Sequence, residues 1–330
     1  MKGARAILRF LLDCAERGED AALVTLTDVT ASAVRRPGEH MAVAADGHAI
    51  GSFSGGCVEA AVIAEAQDAL AEGRARAVRY GEGSPYIDIR LPCGGGVDLL
   101  FTPRPDVDVI AAALAVLDAR LPLGLRLSSD GGIAVCPAIA TGWVGSNFTV
   151  RHDPDPRIAI LGHGAEPAAL LAVARAYGAE TLLLSPQETL VEAARAHGAA
   201  AWLRTLGPSP DLVVDPWTAV VALFHDHDWE TALLLQALAQ DPFFIGAMGS
   251  RRTQAERRRR LAEAGGSADD ITRIVGPIGL IHATRDPETL AISIMAQVAE
   301  AYEAFVARPV ADDRTVDQPF ACDEIAASRV

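Results

Sequence analysis

The sequence predicts an α/β protein of two units: an amino-terminal α/β domain with a mixed sheet and a carboxyl-terminal Rossmann-like, doubly wound domain. Two observations carry this. Short apolar runs alternate with amphipathic helical stretches throughout the second half, the pattern of a mostly parallel sheet covered on both faces. Near the middle, Arg151-His152-Asp153-Pro154-Asp155-Pro156 breaks both periodicities, because its prolines and charges fit neither a helix interior nor a central strand. The predicted organisation is residues 1–150 for the first domain, 151–157 for a linker, 158–307 for the Rossmann-like domain and 308–330 for a polar tail.

In the first domain, Ile7, Leu8, Leu11, Leu12 and Ala15 form one helical face, and residues 22–26 read as a strand. Residues 41–44 and 48–53 flank Asp46-Gly47, a hairpin turn pair. After Ser54-Gly55-Gly56-Cys57-Val58-Glu59 comes a helix with Val62, Ile63, Ala66 and Leu70 at helical spacing. Residues 86–91 and 97–101 read as strands around Pro92-Cys93-Gly94-Gly95-Gly96, and residues 109–117 as a helix. In the second domain, strands are expected at 158–161, 181–184, 212–214, 220–224 and 243–247. Helices are expected at 168–176, 188–196, 229–238, 253–264 and 287–307, with Gly178 and Gly198 closing two of them.

The chain holds 29 Lys plus Arg against 43 Asp plus Glu, a formal charge of −14, which argues against a general nucleic-acid or anionic-membrane binder. One local basic patch remains, at residues 251–260. Arg9 and Asp13 interrupt the first apolar stretch and no run reaches membrane-spanning length, so a cytoplasmic protein is expected. Cys14, Cys57, Cys93, Cys136 and Cys322 form no CxxC pair and are expected as thiols. Lys2 is the only lysine, which removes a P-loop lysine.

Five loops are candidates for chemistry. Gly55-Gly56 before a helix frees backbone N–H groups for an anion, and the helix start acidifies a thiol such as Cys57; the alternative is a small buried hydrophobe in a plain turn. Cys93 sits in a second loop of the same composition. Gly162-His163-Gly164 fits the opening of a dinucleotide fold, but Pro167 replaces the third glycine and the next strand ends in Ser185-Pro186 without a ribose-binding acid, so ordinary NAD binding is not expected. His225-Asp226-His227-Asp228 follows a strand and serves either as ligands or as helix caps, while Gly249-Ser250-Arg251-Arg252 places arginines at a helix start suited to phosphate. Residues 257–260 read as a solvated arginine face.

The residues 54–59, 92–96, 245–252 (IGAMGSRR), 277–280 (PIGL) and 286–297 (DPETLAISIMAQ), in that order, resemble the XdhC/CoxI family of xanthine dehydrogenase accessory factors. The resemblance covers nearly the whole chain. It implies a maturation chaperone that binds molybdenum cofactor, as molybdopterin or a nucleotide form, supports its sulfuration or modification and delivers it to a molybdenum hydroxylase apo-enzyme. A cysteine desulfurase partner and a homodimer go with that implication, and no catalytic residue does. The expected cofactor contacts are Gly55, Gly56, Cys57, Glu59, Cys93, Gly94, Gly95, Gly162, His163, Gly164, His225, Asp226, Gly249, Ser250, Arg251 and Arg252, with Cys57 as a molybdenum or sulfur ligand. They are expected around one cleft between the domains. The chain departs from the family pattern at Ala31-Ser32-Ala33-Val34-Arg35, in GHGAEP at residues 162–167, and at Gln297, where glutamate is frequent. The alternatives are an NAD(P)-dependent oxidoreductase and a thiol-based sulfur-transfer or redox protein.

Overall fold

A computed structural model of the chain describes residues 3–30, 35–53, 55–56, 58–84 and 94–308. Cys57, Cys93, Cys322, residues 31–34, the strand expected at 86–91 and the tail from residue 309 lie outside the described residues.

Helix α1 (Ala4–Glu16) buries Ile7, Leu8, Leu11 and Cys14, so Cys14 rather than Ala15 completes the face at i, i+4, i+7 spacing. Strands β1 (Ala21–Thr30), β2 (His40–Ala44) and β3 (Ala49–Ile50) follow, then α2 (Glu59–Glu72), β4 (Arg76–Gly81), β5 (Gly96–Pro103) and α3 (Val107–Asp118). Their sheet has the order β3-β2-β1-β5-β4, and every pairing among the described residues is antiparallel, where a mixed sheet was expected. Successive strands β1–β2, β2–β3 and β4–β5 are neighbours, and the four-residue β2–β3 connection is far too short for the crossover that parallel neighbours require. Both faces are covered. Leu23, Ala42 and Leu100 pack with α1 and α3, while Ala22, Val24 and Val43 pack on α2. A second antiparallel sheet, β6 (Leu123–Ser128), β7 (Ile133–Cys136), β8 (Gly142–Val144) and β9 (Asn147–His152), in the order β7-β6-β9-β8, adds Leu125, Leu127, Phe148 and Val150 to the core of α1 and α3.

Strand β9 runs to His152 and β10 (Arg157–Gly162) begins at Arg157, leaving residues 153–156 between the sheets. Across this seam Arg120 pairs with Asp215 and with Glu180 at 3.0 Å and donates to the Asp155 carbonyl at 3.1 Å. Arg5 reaches Glu180 at 3.0 Å, and the Tyr302 hydroxyl donates to the Pro154 carbonyl at 2.7 Å.

The second domain continues with α4 (Ala165–Tyr177), β11 (Glu180–Ser185), α5 (Glu188–Ala196), β12 (Ala200–Leu203), β13 (Thr218–Leu223), α6 (His227–Leu238), β14 (Phe244–Ala247), α7 (Arg251–Glu263), α8 (Ala268–Thr272), β15 (Ile274–Val275) and α9 (Pro287–Val306). The six strands are all parallel in the order β12-β11-β10-β13-β14-β15, a doubly wound Rossmann sheet with an apolar cluster on each face. The strand expected at 212–214 does not form. Leu212 and Val214 are buried, but their backbone is held by glutamine side chains of α6 and the turn after it: Gln240 Oε1 accepts from Val214 N–H at 3.0 Å, and Gln236 Nε2 and Gln240 Nε2 donate to the Leu212 carbonyl at 3.4 and 3.3 Å. The third parallel strand in the chain is β12 instead.

Candidate functional site

Strand order reverses between β10 and β13, the place where open parallel sheets take ligands. The carboxyl ends of β13 and β14 open there onto a cleft of about 810 Å³, walled by the start of α7, the loop before α9 and the first turn of α9. Its described lining includes Glu166, His225, Met248, Gly249, Ser250, Arg251, His282 and Arg285.

The β14–α7 turn is built for a helix start. Gly249 has φ 129°, and a Cβ there would stand 2.7 Å from Thr253 Cγ2, so the position requires glycine. Ser250 caps α7 with a reciprocal capping box to Thr253, which uses two of the exposed N–H groups and leaves those of Arg251 and Arg252 for an anion. The first turn of α7 contains no acidic residue. Arg251 lines the cleft; Arg252 is exposed and is not among its lining residues.

Beneath this turn lies a feature the sequence did not reveal. Arg257, expected on a solvated face, is buried and makes a two-point ion pair with the fully buried Glu230, at 2.7 and 3.1 Å. It also donates to the Met248 carbonyl at 2.8 Å, while Gln254 donates to the Ala247 carbonyl at 3.0 Å. His227 adds a 2.6 Å contact to Glu230. The turn is thus braced from below by a buried ion pair, in which Arg257 Nη1 alone of the guanidinium nitrogens has no partner among the described residues. Arg259 and Arg260 do sit at the surface, paired with Glu256. On the opposite wall, Gly279 N–H donates to Gln297 Oε1 and Ile281 N–H to the buried Ser293 Oγ, both at 2.7 Å, stapling the loop to α9.

The β10–α4 turn keeps the dinucleotide-fold backbone but fills its space. A Cβ at Gly162 would meet Pro167 Cγ and the Leu223 carbonyl, both at 2.9 Å, so Pro167 makes the close helix–strand contact. Gly164 N–H donates to Gln187 Oε1 at 3.1 Å. The His163 ring lies 5.7 Å from Phe224 and 6.3 Å from His225, and its Nδ1 is buried without a hydrogen-bond partner among the described residues. The exposed His225 approaches Glu166 at 3.9 Å. Asp226 caps α6, accepting from Asp228 N–H at 2.9 Å, and among the described residues no group of three His, Cys, Asp or Glu side chains could hold a metal ion.

The first cysteine loop departs from expectation in one respect. The N–H groups of its described residues are taken by the chain's own Glu59, whose carboxylate accepts from Phe53, Gly55, Gly56 and Val58 N–H at 3.0, 3.1, 2.7 and 3.2 Å and from the Ser52 hydroxyl at 2.7 Å. At the second loop, Gly94 has open space in front of it, and Gly95 accepts from Glu82 N–H at 3.0 Å. Gly55, Gly56, Gly94 and Gly95 are not among the described residues lining the large cleft, all of which belong to the Rossmann domain.

Elsewhere in the first domain, His40 Nδ1 contacts Thr25 Oγ1 and its Nε2 contacts His152 Nε2, each at 2.9 Å. Burial pushes His40 well below the usual histidine range, helped by its neighbour, and brings His152 down to about 4.

The family model described as the XdhC Rossmann domain matches residues 158–298, and the one described as the XdhC and CoxI family matches residues 14–81. The molybdenum cofactor insertion chaperone PaoD of Escherichia coli (strain K12) is 37% identical over 299 residues, covering 89% of this chain and 87% of its own. The chain belongs to the XdhC and CoxI family. This XdhC and CoxI family member is also 26% identical over 292 residues to the uncharacterized protein YqeB of the same organism, of which it spans 43%. Its fold is shared with the crystal structure of a xanthine dehydrogenase from Bacillus halodurans, with a TM-score of 0.72 and 23% identity over 90% of this chain and 96% of that one.

Proposed function

We propose that this chain holds molybdenum cofactor as cargo and hands it to a molybdenum hydroxylase. The observation that carries the reading is the 37% identity, over 89% of the chain, to a protein named as a molybdenum cofactor insertion chaperone. The Rossmann cleft supports it. A volume of about 810 Å³ lies in the small-molecule range, Met248, Ile278 and Leu290 offer apolar surface to a pterin ring, and the cationic start of α7 suits the phosphate of molybdopterin. Arg251 pairs with that phosphate, and His225, His282 and Arg285 supply the remaining polar contacts. Cys57 and Cys93 belong to the same reading as thiols that bind molybdenum or carry sulfur, a task for which thiolate is the competent form.

Incubation of the purified protein with molybdenum cofactor, desalting and mass spectrometry of the retained pterin test the reading. Wild type retains pterin and activates an apo-hydroxylase. Arg251→Ala retains at least about tenfold less, because a charge-assisted contact is lost, and Cys57→Ala loses retention or client activation while unfolding as wild type does. A wild-type protein that keeps no pterin and activates no client overturns the reading. Sulfur supply by a cysteine desulfurase, a homodimer and a cytoplasmic location complete the proposal; co-purification, light scattering and fractionation test them one by one.

A further inference from the structure

We infer that Gln187 and Glu166 fill, from within the chain, the phosphate seat of the β10–α4 turn, so that the pyrophosphate of a dinucleotide is turned away from this turn. In dinucleotide folds the second glycine of this turn lets the pyrophosphate come against the backbone, and the helix start holds it through unpaired N–H groups. The present turn retains the strand, the helix and a positive φ of 95° at Gly164. Two side chains occupy what that geometry leaves open. Gln187, at the end of the β11–α5 connection, places its Oε1 3.1 Å from the Gly164 nitrogen. Its amide is oriented by a second contact, Nε2 to Thr189 Oγ1 at 3.3 Å. Glu166 supplies the other: its Oε2 lies 3.2 Å from where a Cβ on Gly164 would stand, on the open face of the glycine. A phosphate entering the seat would displace an amide oxygen and meet a carboxylate.

The consequence deepens the proposed function and, in this half only, rests on it: with the α4 start closed, the helix start left for the phosphate of a pterin is that of α7. Closure itself is independent of what the cargo is.

Calorimetric titration of inorganic pyrophosphate and of NADH into the full-length wild type, Glu166→Gln, Gln187→Ala and the double variant tests the closure, with the Gly164 amide followed in ¹⁵N spectra. Wild type shows no Gly164 shift with either ligand up to the millimolar range, and any heat from pyrophosphate arises at the start of α7. The double variant gains at least tenfold in pyrophosphate affinity, Gly164 shifts during the titration, and NADH follows more weakly because the ribose-binding acid is absent. Glu166→Gln, an isosteric change at a partly exposed position, shows part of the gain even where the double variant folds poorly. Micromolar NADH binding with a Gly164 shift in the wild type overturns the inference, and so does a folded Glu166→Gln protein with no gain. Pterin retention on the same preparations separates the two readings: gain of pyrophosphate binding without wild-type pterin retention leaves the closure standing and removes the cargo.

Discussion

Two strand–turn–helix crossings in one sheet, β10–α4 and β14–α7, make the same backbone gesture and end in opposite states. Each has a glycine at positive φ, 95° at Gly164 and 129° at Gly249, and each delivers a helix start to the carboxyl edge of the sheet. At the first, the glycine N–H is taken by Gln187 and its open face by Glu166. At the second, the cap is made by Ser250 and Thr253 of the helix itself, the next residues are Arg251 and Arg252, and no acid stands in the first turn. The difference teaches that a Rossmann fold does not set its ligand. One or two side chains at the same kind of turn decide whether the helix dipole meets a guest or the chain's own amide and carboxylate oxygens.

The comparison breaks most easily at its buried support. Arg257→Ala strips the buried Glu230 of its two-point partner and leaves it only the His227 contact, and a loss of about 3–5 kcal/mol is expected, read as an unfolding midpoint lowered by roughly 10 °C. The double replacement Glu230→Leu with Arg257→Met recovers most of that loss but not the hold on the Met248 carbonyl, so pterin retention stays low. An Arg257→Ala protein as stable as wild type would remove the brace from the account.

Smaller effects sharpen it. Gly249→Ala combines a disfavoured φ with a 2.7 Å approach to Thr253 and is expected to cost roughly 2 kcal/mol by denaturant titration. Gly164→Ala meets only the flexible tip of Glu166 at 3.2 Å, so it costs less; equal losses would mean that the two turns do not differ in tightness. Acid tests whether the turns share a weak point with the first domain. Because burial holds the folded-state values of His40 and His152 below the ordinary 6.5, the unfolded chain takes up protons first as pH falls. Their contribution is full above about pH 6.5 and is lost progressively toward pH 4, a drop of about 3 °C or more in midpoint that His152→Gln flattens. Amide exchange at Gly164 and Gly249 should not lead this loss; if it does, the acid-labile part is the cleft. Smallest is Gln297→Glu, expected within about 0.5 kcal/mol, since a carboxylate also accepts the Gly279 N–H.

Much of the second domain was legible because apolar runs and helical stripes alternate cleanly from β10 to α5, and glycine marks the ends, as Gly178 does in a left-handed C-cap. Strand β4 was missed because its Arg76 and Arg79 spoil the apolar alternation; both arginines are paired, with Glu65 and Asp98. The triplet at 212–214 misled because apolarity reports burial, whereas its backbone partners are glutamine side chains some two dozen residues away. Pairing direction in the first sheet is absent from any one-dimensional pattern. At the site, the start of α7 was readable as strand, glycine and arginines in a row. The buried role of Arg257 was hidden inside a run of four arginines, since its partner Glu230 belongs to another helix. The closing of the β10–α4 turn was hidden for the same reason: Gln187 reaches it only after β11 has returned alongside β10.

The seam between the domains makes them a hereditary pair. Arg120 lies in one domain and its carboxylates Asp215 and Glu180 in the other, with Arg5 on Glu180 and Tyr302 closing on the Pro154 carbonyl. A Rossmann unit excised at Arg157 keeps both carboxylates but only Arg157 to balance them, and leaves Tyr302 without its acceptor. Recombination that transplants this domain elsewhere therefore has to carry over, or reinvent, the cation on the far side of the joint.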